Sequence, residues 1–223
     1  MKAHVVHLGL VPYAEALELQ GSLSAAVAAG ESPDTVLFLE HPPVITLGRR
    51  TEPGELHVPP HAEVEICETD RGGKSTFHGP GQLVCYPILD LKRHGQDVQK
   101  YCRDLEEALV RTLAVFDLDA KRIEGLTGIW LTPPPRKIAS IGVHISRWVT
   151  THGYALNVDL DPAPFTQWIT ACGIEGAAFT TMARELQRPL HVDAVRDAAT
   201  HAVADVFDLE LEPLAADRLL APA

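Results

Sequence analysis

The sequence lacks any hydrophobic run near the roughly 18 to 20 residues that a membrane-spanning helix needs. Its first residues lead into an apolar stretch that His7 interrupts and Pro12 ends, a pattern unlike a signal peptide. Only four cysteines occur in 223 residues, and no two of them form a CxxC pair. We therefore expect a cytoplasmic protein without membrane contact, disulfide framework or metal site.

Basic residues are also scarce, because 19 lysines and arginines face 30 aspartates and glutamates, for a net charge of −11. This balance argues against a nucleic-acid-binding protein. The charge is uneven, since residues 71–147 carry twelve lysines and arginines against eight acids. That basic segment could meet an acidic partner, although ordinary solvated helix faces would explain it equally well.

Apolar patterns predict helices near both ends and strands between residues 35 and 158. A helix runs from Tyr13 toward Gly30, a second follows the cap Asp97 and has an apolar face from Val98 to Phe116, and a third spans about 190–207. The predicted strands cover 35–39, 44–48, 82–91, 128–131, 137–145 and 148–158, and residues 51–62 form a loop. This order indicates an α+β fold rather than a regular βαβα alternation. We expect one domain over 1–223, with 183–223 as a possible small C-terminal subdomain.

Two segments have compositions that packing alone explains poorly. RGGKSTFHGPGQ, from Arg71 to Gln82, holds four glycines that let a backbone approach a ligand closely, and Arg71, Lys74 and His78 could bind an anion or a polar carrier arm. A hairpin turn with polar decoration is the alternative. In KIASIG, Lys137 begins an alternating strand after three prolines, a place where a lysine is more often a solvated edge charge.

A third segment, ACGIEG, places Cys172 between small residues and ahead of two glycines. Most lone cysteines are small buried hydrophobic residues. Cys172 is nevertheless more open to reaction than Cys102 on a helix face or Cys85 in an apolar strand. Cys67 lies in an acidic stretch, which would raise its pKa and dull its reactivity.

Taken in order, these segments resemble the signature segments of the lipoyl(octanoyl) transferase family, also called lipoate-protein ligase B. THGYALNVDLD from Thr151 to Asp161, the run Leu47-Gly48-Arg49-Arg50 and the pair Ile129-Trp130 fit as well, so the resemblance covers roughly residues 35 to 180. It implies the fold of biotin and lipoate ligase catalytic domains, which is a mixed β-sheet flanked by helices with the acyl chain in a tunnel between them.

The resemblance also implies the reaction and its residues. An octanoyl group moves from acyl carrier protein to a protein lysine through a thioester on Cys172, and Lys137 lowers the pKa of that thiol and later acts as general base. Neither ATP nor a metal is needed, since thioester to amide is downhill. Substrate contacts are implied for Arg71, Gly72, Gly73, Lys74, Ser75, Thr76, Phe77, His78, Ser140, Ile141, Gly142, Gly153, Tyr154 and Ala155.

Both partners implied by the resemblance are proteins. The donor is octanoyl-acyl carrier protein, and the acceptors are lipoyl domains of 2-oxoacid dehydrogenase E2 subunits and the glycine cleavage H protein. Because such carriers are acidic, we hypothesise a docking rim drawn from Arg49, Arg50, Lys74, Arg136 and Arg147. Ile138, Ile141 and Leu156 could line the acyl chain, although core packing explains each one better. Backbone N–H groups near Cys172 or in the turn 71–73 are candidates for the oxyanion hole.

Four alternatives stay open on the sequence alone. An ATP-dependent lipoate or biotin ligase would share the fold but need no nucleophilic cysteine. An amidotransferase between two lipoyl-carrying proteins would use the same cysteine and differ only in its donor. A non-catalytic acyl or carrier-protein binding domain would tolerate loss of Cys172 and Lys137. A thiol hydrolase would need a His–Cys pair, and none of His78, His144 and His152 is singled out for it.

Overall fold

A computed structural model describes residues 1–170 and 178–219. The strands are β1 Lys2–Leu10, β2 Asp34–Glu40, β3 Val44–Leu47, β4 Glu65–Glu68, β5 Thr76–His78, β6 Gln82–Ile88, β7 Ala120–Ile123, β8 Leu126–Leu131, β9 Arg136–Ser146, β10 Val149–Asn157, β11 Ala178–Phe179 and β12 Glu210–Pro213. The helices are α1 Tyr13–Ala29, α2 Val98–Ala114, α3 Ala163–Gln167, α4 Met182–Leu186, α5 Val192–Phe207 and α6 Ala216–Leu219.

The described strands form one large mixed sheet and one small sheet. The large sheet has the order β12-β1-β2-β6-β10-β9-β8-β7, and β11 pairs with the start of β9. Its β12–β1, β1–β2 and β9–β11 pairings are parallel, and the remaining pairings are antiparallel. The small sheet has the order β4-β3-β5. This architecture confirms the predicted α+β fold with a mixed sheet flanked by helices.

Helices cover both faces of the large sheet. Leu23 and Val27 of α1 pack with Leu37, Val84 and Tyr86 in one buried cluster. The opposite face carries a larger core, where α2 and α5 contribute the fully buried side chains Leu105, Leu109, Val195, Ala199 and Val203. The sheet is therefore the middle of three layers, and its central strands β6 and β10 are buried on both sides.

Local sequence signals account for the long helices. The Asp97 carboxylate accepts a hydrogen bond from the Lys100 backbone N–H at 2.9 Å, which caps α2 as predicted. Gly30 takes a left-handed φ of 75° at the end of α1, also as predicted. Val98 is an exception to the predicted apolar face of α2, because in the first helical turn it is 41% exposed.

The prediction that strands cluster between residues 35 and 158 is wrong at both ends of the chain. Strand β1 lies beside β2, and β12 pairs with β1 from the far end of the sequence, with Lys2 opposite Glu210. Parallel pairing between distant segments leaves no local pattern, and β12 is short and mostly exposed. The boundary of a subdomain at residue 183 stays a prediction. In the part of the chain that is described, no helix is long and apolar enough to cross a membrane.

Candidate active site

A cavity of about 720 Å³ lies where β9 and β10 meet α1 and the loop that precedes β5. This volume is in the range of small-molecule sites. Its lining includes Lys137 and thirteen of the fourteen residues predicted to contact substrate, which are Arg71, Gly72, Gly73, Lys74, Ser75, Thr76, His78, Ser140, Ile141, Gly142, Gly153, Tyr154 and Ala155. Residues from three separated segments therefore meet in one place, and their individual roles stay predictions.

One long wall of the cavity follows β9 from Lys137 to Val143. The six steps between these seven residues span about 20 Å of strand, which is longer than an extended eight-carbon chain. Gly142 of β9 pairs with Gly153 of β10 near the Val143 end of this wall. A Cβ at Gly153 would lie 2.2 Å from the Cys85 carbonyl oxygen, so only glycine fits between β10 and β6 at that point.

The glycine-rich loop at Arg71 to Gly73 is held against this wall by backbone contacts. The Gly72 N–H donates to the Val143 carbonyl at 2.9 Å, and the Arg49 N–H donates to the Arg71 carbonyl at 3.1 Å. A Cβ at Gly48 would lie 2.4 Å from the Gly73 carbonyl oxygen, so the approach needs glycine there. Because the Gly72 N–H is already bonded, it is not a ready oxyanion donor.

The two predicted cations of this loop have different surroundings. Arg71 is buried, and its guanidinium donates to the Thr46 carbonyl at 2.7 Å and to the Thr46 hydroxyl. Lys74 forms an ion pair with Glu55 and lies 3.5 Å from Glu52, which raises the pKa of its ammonium. Arg71 thus ties the loop to β3, while Lys74 presents a charge at the cavity rim.

Lys137 is a buried lysine, with only 2% of its surface exposed. Its ammonium lies over the Trp130 ring, 5.6 Å from the ring centroid, a distance at which a cation–π attraction acts. Its backbone carbonyl accepts a hydrogen bond from the Thr180 N–H at 3.0 Å. The more common interpretation of a lysine at a strand start, a solvated edge charge, is therefore wrong here.

The predicted nucleophile Cys172 lies outside the described residues. The described chain stops at Thr170, whose N–H donates to the Glu55 carbonyl at 2.9 Å beside Lys74. It resumes at β11, where Phe179 pairs with Lys137. Thr170 is thus bonded to the ion-pair partner of Lys74, and β11 pairs with the strand β9 that lines the cavity.

Buried tyrosines and histidines form a second wall, in which only His78 was a predicted site residue. Tyr13, Tyr86, His78 and His152 all line the cavity. The His41 imidazole supports this wall, since one ring nitrogen donates to the Val11 carbonyl at 2.7 Å and the other accepts from the Tyr86 hydroxyl at 2.8 Å. Burial lowers the pKa of His41 to about 4, so this histidine is neutral at physiological pH.

His78 is held by a chain of buried side chains. Gln82 donates its amide N–H to the Asn157 side-chain oxygen at 3.0 Å, so the Gln82 oxygen accepts from His78 Nδ1 at 2.7 Å. Asn157 in turn donates to the Thr180 carbonyl at 3.1 Å. Burial holds the pKa of His78 well below its ordinary value. This chain connects the cavity wall to the residue that follows β11, and neither Gln82 nor Asn157 was predicted as a site residue.

His152 is a further cavity residue without a predicted role. Its Nε2 donates to the Asp70 carboxylate at 2.8 Å, and its Nδ1 lies 3.5 Å from the Tyr13 hydroxyl. Burial lowers its pKa and outweighs the opposing effect of Asp70. His152 also takes a left-handed φ of 57°, which is uncommon for a residue other than glycine. Its position between Thr151 and Gly153 in THGYALN was the available signal, but that pattern carries no chemistry by itself.

The described cysteines are poor nucleophiles. Burial raises the pKa of Cys85, which is a core residue as predicted. Burial and then the carboxylates of Glu65 and Glu68 raise the pKa of Cys67, in the direction that the acidic stretch predicted. Cys102 lines the cavity from α2, and burial raises its pKa also. None of these three environments favours a thiolate.

Several predicted residues lie elsewhere. Phe77 packs against Phe165 and Trp168 beneath the small sheet and is not part of the cavity lining. Ile138 and Leu156 are fully buried core residues, as the alternative interpretation favoured, whereas Ile141 reaches the cavity. Of the hypothesised docking rim, Arg49, Arg50 and Lys74 line the cavity. Arg136 instead binds Glu185 through two hydrogen bonds of 2.8 Å, and Arg147 sits in the β9–β10 turn.

The charge of the lining is opposite to that of the chain. Five cationic side chains, Arg49, Arg50, Arg71, Lys74 and Lys137, face two carboxylates, Glu52 and Glu106, around the cavity. Within residues 1–170 and 178–219, no group of three histidine, cysteine or acidic side chains could hold a metal ion. The cavity therefore suits a ligand that combines an apolar chain with an anionic group.

Comparisons with known proteins agree with this geometry. A family model described as the lipoyl protein ligase A/B catalytic domain matches residues 12–204. An octanoyltransferase of Mycobacterium leprae is 49% identical to this chain, and the alignment covers 92% of this chain and 87% of the relative's length. An octanoyltransferase of Geobacter sulfurreducens is 50% identical to this chain, and the alignment covers 87% of this chain and 80% of the relative's length.

Solved structures of the same fold are more distant in sequence. A bi-partite lipoate protein ligase from Thermoplasma acidophilum, studied with its E2 lipoyl domain, superposes with a TM-score of 0.76 at 15% identity, covering 96% of this chain and 87% of the other. The biotin protein ligase from Aquifex aeolicus superposes with a TM-score of 0.53 at 12% identity, covering 93% of this chain and 70% of the ligase. These likenesses confirm the predicted ligase-like fold.

Proposed function

The chain belongs to the octanoyltransferase family, and on that premise we propose that it moves an octanoyl group from acyl carrier protein to a lysine of a lipoyl domain through a thioester on Cys172. The observation that carries the proposal is the buried ammonium of Lys137 at the wall of the cavity. Burying a lysine is costly, and this one lies where the predicted substrate residues meet, as expected of a functional group.

The attachment of the flanking residues supports Cys172 as the nucleophile. Thr170 is bonded to Glu55 beside Lys74, and two residues of chain span at most about 7 Å. Phe179 is paired with Lys137 itself. The other three cysteines have raised pKa values, so they compete poorly for the role.

The proposed reaction has two acyl transfers. The Cys172 thiolate attacks the donor thioester carbonyl, a new carbon–sulfur bond forms, and the carrier's pantetheine leaves as a thiolate that takes up a proton. The acceptor lysine amine then attacks the Cys172 thioester, the amide bond forms, and the cysteine thiolate is released. As an ammonium, Lys137 stabilises the Cys172 thiolate and gives its proton to the departing pantetheine thiolate in the first transfer. As a neutral amine, it then accepts the proton of the attacking lysine amine in the second transfer, which restores the thiolate–ammonium pair. Both transfers start from a thioester, so neither ATP nor a metal is required.

The proposed partners follow from the family and from the charge of the cavity. The donor is octanoyl-acyl carrier protein, whose arm carries a phosphodiester. Arg49 and Arg50 are exposed at the cavity rim, with their backbone N–H groups bonded to the Arg71 and Gly73 carbonyls. We assign the docking of the acidic carrier to these two arginines first, because Arg136 and Lys74 already have carboxylate partners. Lipoyl domains of 2-oxoacid dehydrogenases and the glycine cleavage H protein are the proposed acceptors.

Intact-mass spectrometry after incubation with octanoyl-acyl carrier protein tests the proposal. The wild type should gain one octanoyl group without ATP, and adding a lipoyl domain should discharge it. Cys172→Ala should gain none, whereas the control Cys67→Ser should behave like the wild type. Lys137→Met should slow transfer at least a hundredfold, in the range of a lost acid–base group.

Three outcomes would refute the proposal. An octanoyl adduct on Cys172→Ala would place the nucleophile elsewhere. Transfer that requires ATP and free octanoate, with Cys172→Ala fully active, would indicate an ATP-dependent ligase. A chain that binds carrier but transfers nothing would be a binding domain.

A further inference from the structure

The strand pair β8–β9 is irregular next to Lys137. Ile129 lies opposite Ala139, while Trp130 lies opposite Lys137, so Ile138 has no partner on β8. Such a bulge changes the direction of the side chains beside it, and bulges are frequent near active sites. The ladder is therefore interrupted at the point where the lysine enters the cavity.

Gly128 of β8 lies against the end of the lysine side chain. A Cβ at this position would be 2.7 Å from Cε of Lys137, 3.2 Å from its Nζ and 2.3 Å from the Ala139 carbonyl oxygen. Gly128 also has a φ of 97°, which other residues rarely adopt. The end of the lysine thus occupies space that any other residue at 128 would fill.

Trp130 confines the ammonium from another direction. Its ring centroid is 5.6 Å from Nζ of Lys137, and both side chains are only 2% exposed. A lysine side chain is long and flexible, and holding it in one place requires contacts along its length. Gly128 supplies a close backbone contact, and Trp130 supplies an aromatic face that attracts the charge.

We propose that Gly128 and Trp130 are positioning residues, which hold the Lys137 ammonium at the cavity wall so that it can act on the acyl-transfer chemistry. The inference rests on the proposed function, because it assumes that Lys137 takes part in transfer. It extends that function to β8, whose residues contributed nothing to the predicted site.

The first test measures where the ammonium is, independently of activity. Wild type, Trp130→Phe, Trp130→Leu and Gly128→Ala are treated with an amine-reactive ester, and labelling of Lys137 is followed by peptide mass spectrometry with exposed Lys100 as internal reference. We expect about tenfold faster labelling of Lys137 in Trp130→Leu and Gly128→Ala, and near wild-type labelling in Trp130→Phe, which keeps an aromatic face. Unchanged labelling in both altered proteins would overturn the proposal.

Gly95→Ala is the matched control for Gly128→Ala. Gly95 has a similar φ of 89°, but a Cβ there would meet nothing within 4 Å. It therefore adds the same kind of backbone strain without touching the lysine, and it should leave labelling of Lys137 unchanged. If Gly128→Ala does not fold, the Trp130 pair alone decides the question.

The second test measures whether the positioning matters for transfer. Trp130→Leu should lower the single-turnover rate about tenfold with little change in KM for octanoyl-acyl carrier protein, and it should cost no further rate when Lys137→Ala is already present. Equal rate losses in both backgrounds would mean a merely structural role and would refute the inference. Full activity of Lys137→Ala would instead refute the proposed function of the lysine, while the labelling result would still decide its positioning.

Discussion

At the scale of single residues, the cavity depends on imidazoles that stay neutral. His41 has no exposed surface, and its two ring nitrogens are used by the Val11 carbonyl and the Tyr86 hydroxyl. A proton added to Nε2 of His41 would point at the Tyr86 hydroxyl, which already donates its own hydrogen to that nitrogen. No solvent reaches this place to accept the added proton's hydrogen bond. The same burial lowers the pKa of His78 and His152. The hydrogen bond between His41 and Tyr86 therefore persists in this form only while the His41 ring is uncharged.

This arrangement predicts that the protein loses stability in mild acid. The folded-state pKa of His41, about 4, lies below the 6.5 of an unperturbed histidine, so the unfolded chain binds the proton first as pH falls. The free energy of unfolding should therefore decline from about pH 6.5 and level off below about pH 4, with His41 alone contributing up to about 3 kcal/mol. Denaturant unfolding at several pH values across this range measures how steeply the free energy of unfolding falls with pH.

Two variants test whether His41 causes this pH dependence of stability. His41→Gln should be less stable near pH 7 but should lose less stability on acidification than the wild type. His201→Gln changes an exposed histidine of α5 and should keep the wild-type slope. An equal pH dependence in His41→Gln and wild type would contradict the prediction.

At the scale of elements, the short strand β11 is stabilised mainly by side chains. It pairs with β9 over only two residues, and the following Thr180 donates its hydroxyl to Glu185 at 2.6 Å. Glu185 also accepts both hydrogen bonds from Arg136, and that guanidinium lowers the pKa of the carboxyl. A two-residue strand has little stability of its own. The carboxylate thus fixes the chain just after residues 171–177.

We predict that Glu185→Gln loosens β11 more than it destabilises the whole protein. The loss of charge weakens the paired hydrogen bonds to Arg136, with an expected cost of about 1 kcal/mol in global unfolding. Hydrogen exchange at the Thr180 amide should accelerate, because local opening precedes global unfolding. Glu107→Gln on α2 weakens comparable ion pairs, with Arg111 of the same helix and Arg122 of β7, and serves as control. Equal exchange at Thr180 in both variants would argue against this role of Glu185.

The same elements indicate what a sequence can predict. Helices α1 and α2 carry their caps and apolar spacing locally, so their limits were predictable. The meeting of the Arg71 loop, Lys137 and Gly153 was predictable only through the family resemblance, since no local pattern joins them. The β9 bulge opposite β8, the parallel pairing of β12 and the burial of Lys137 depend on contacts between distant segments, which spacing does not encode. His41 and Asn157 were missed because their partners lie 45 and 23 residues away.

At the scale of the whole molecule, the charge distribution separates the cavity from the rest of the surface. The chain has a net charge of −11, yet five cations and two carboxylates line the cavity. An acidic carrier is repelled by the net charge of the chain and attracted by the cationic cavity lining. Such a pattern favours encounters at the cavity and disfavours encounters elsewhere on the surface. We expect it to affect the rate of association more than the acyl transfer that follows.

Charge reversal at the rim tests this electrostatic orientation. Arg50→Glu should slow association with acyl carrier protein roughly three- to tenfold at low salt, because it replaces an attractive charge beside the entrance with a repulsive one. The difference should shrink toward 1 M salt, where the Debye length falls to about 3 Å. Arg188→Glu makes the same charge change at an exposed arginine outside the cavity lining and should have a smaller effect.

Stopped-flow measurements give the association rates, and transfer from the preformed acyl-enzyme to the lipoyl domain shows whether the chemistry is unchanged. If Arg50→Glu and Arg188→Glu slow association equally, net charge rather than the rim guides the carrier, and the assignment of docking to Arg49 and Arg50 is wrong.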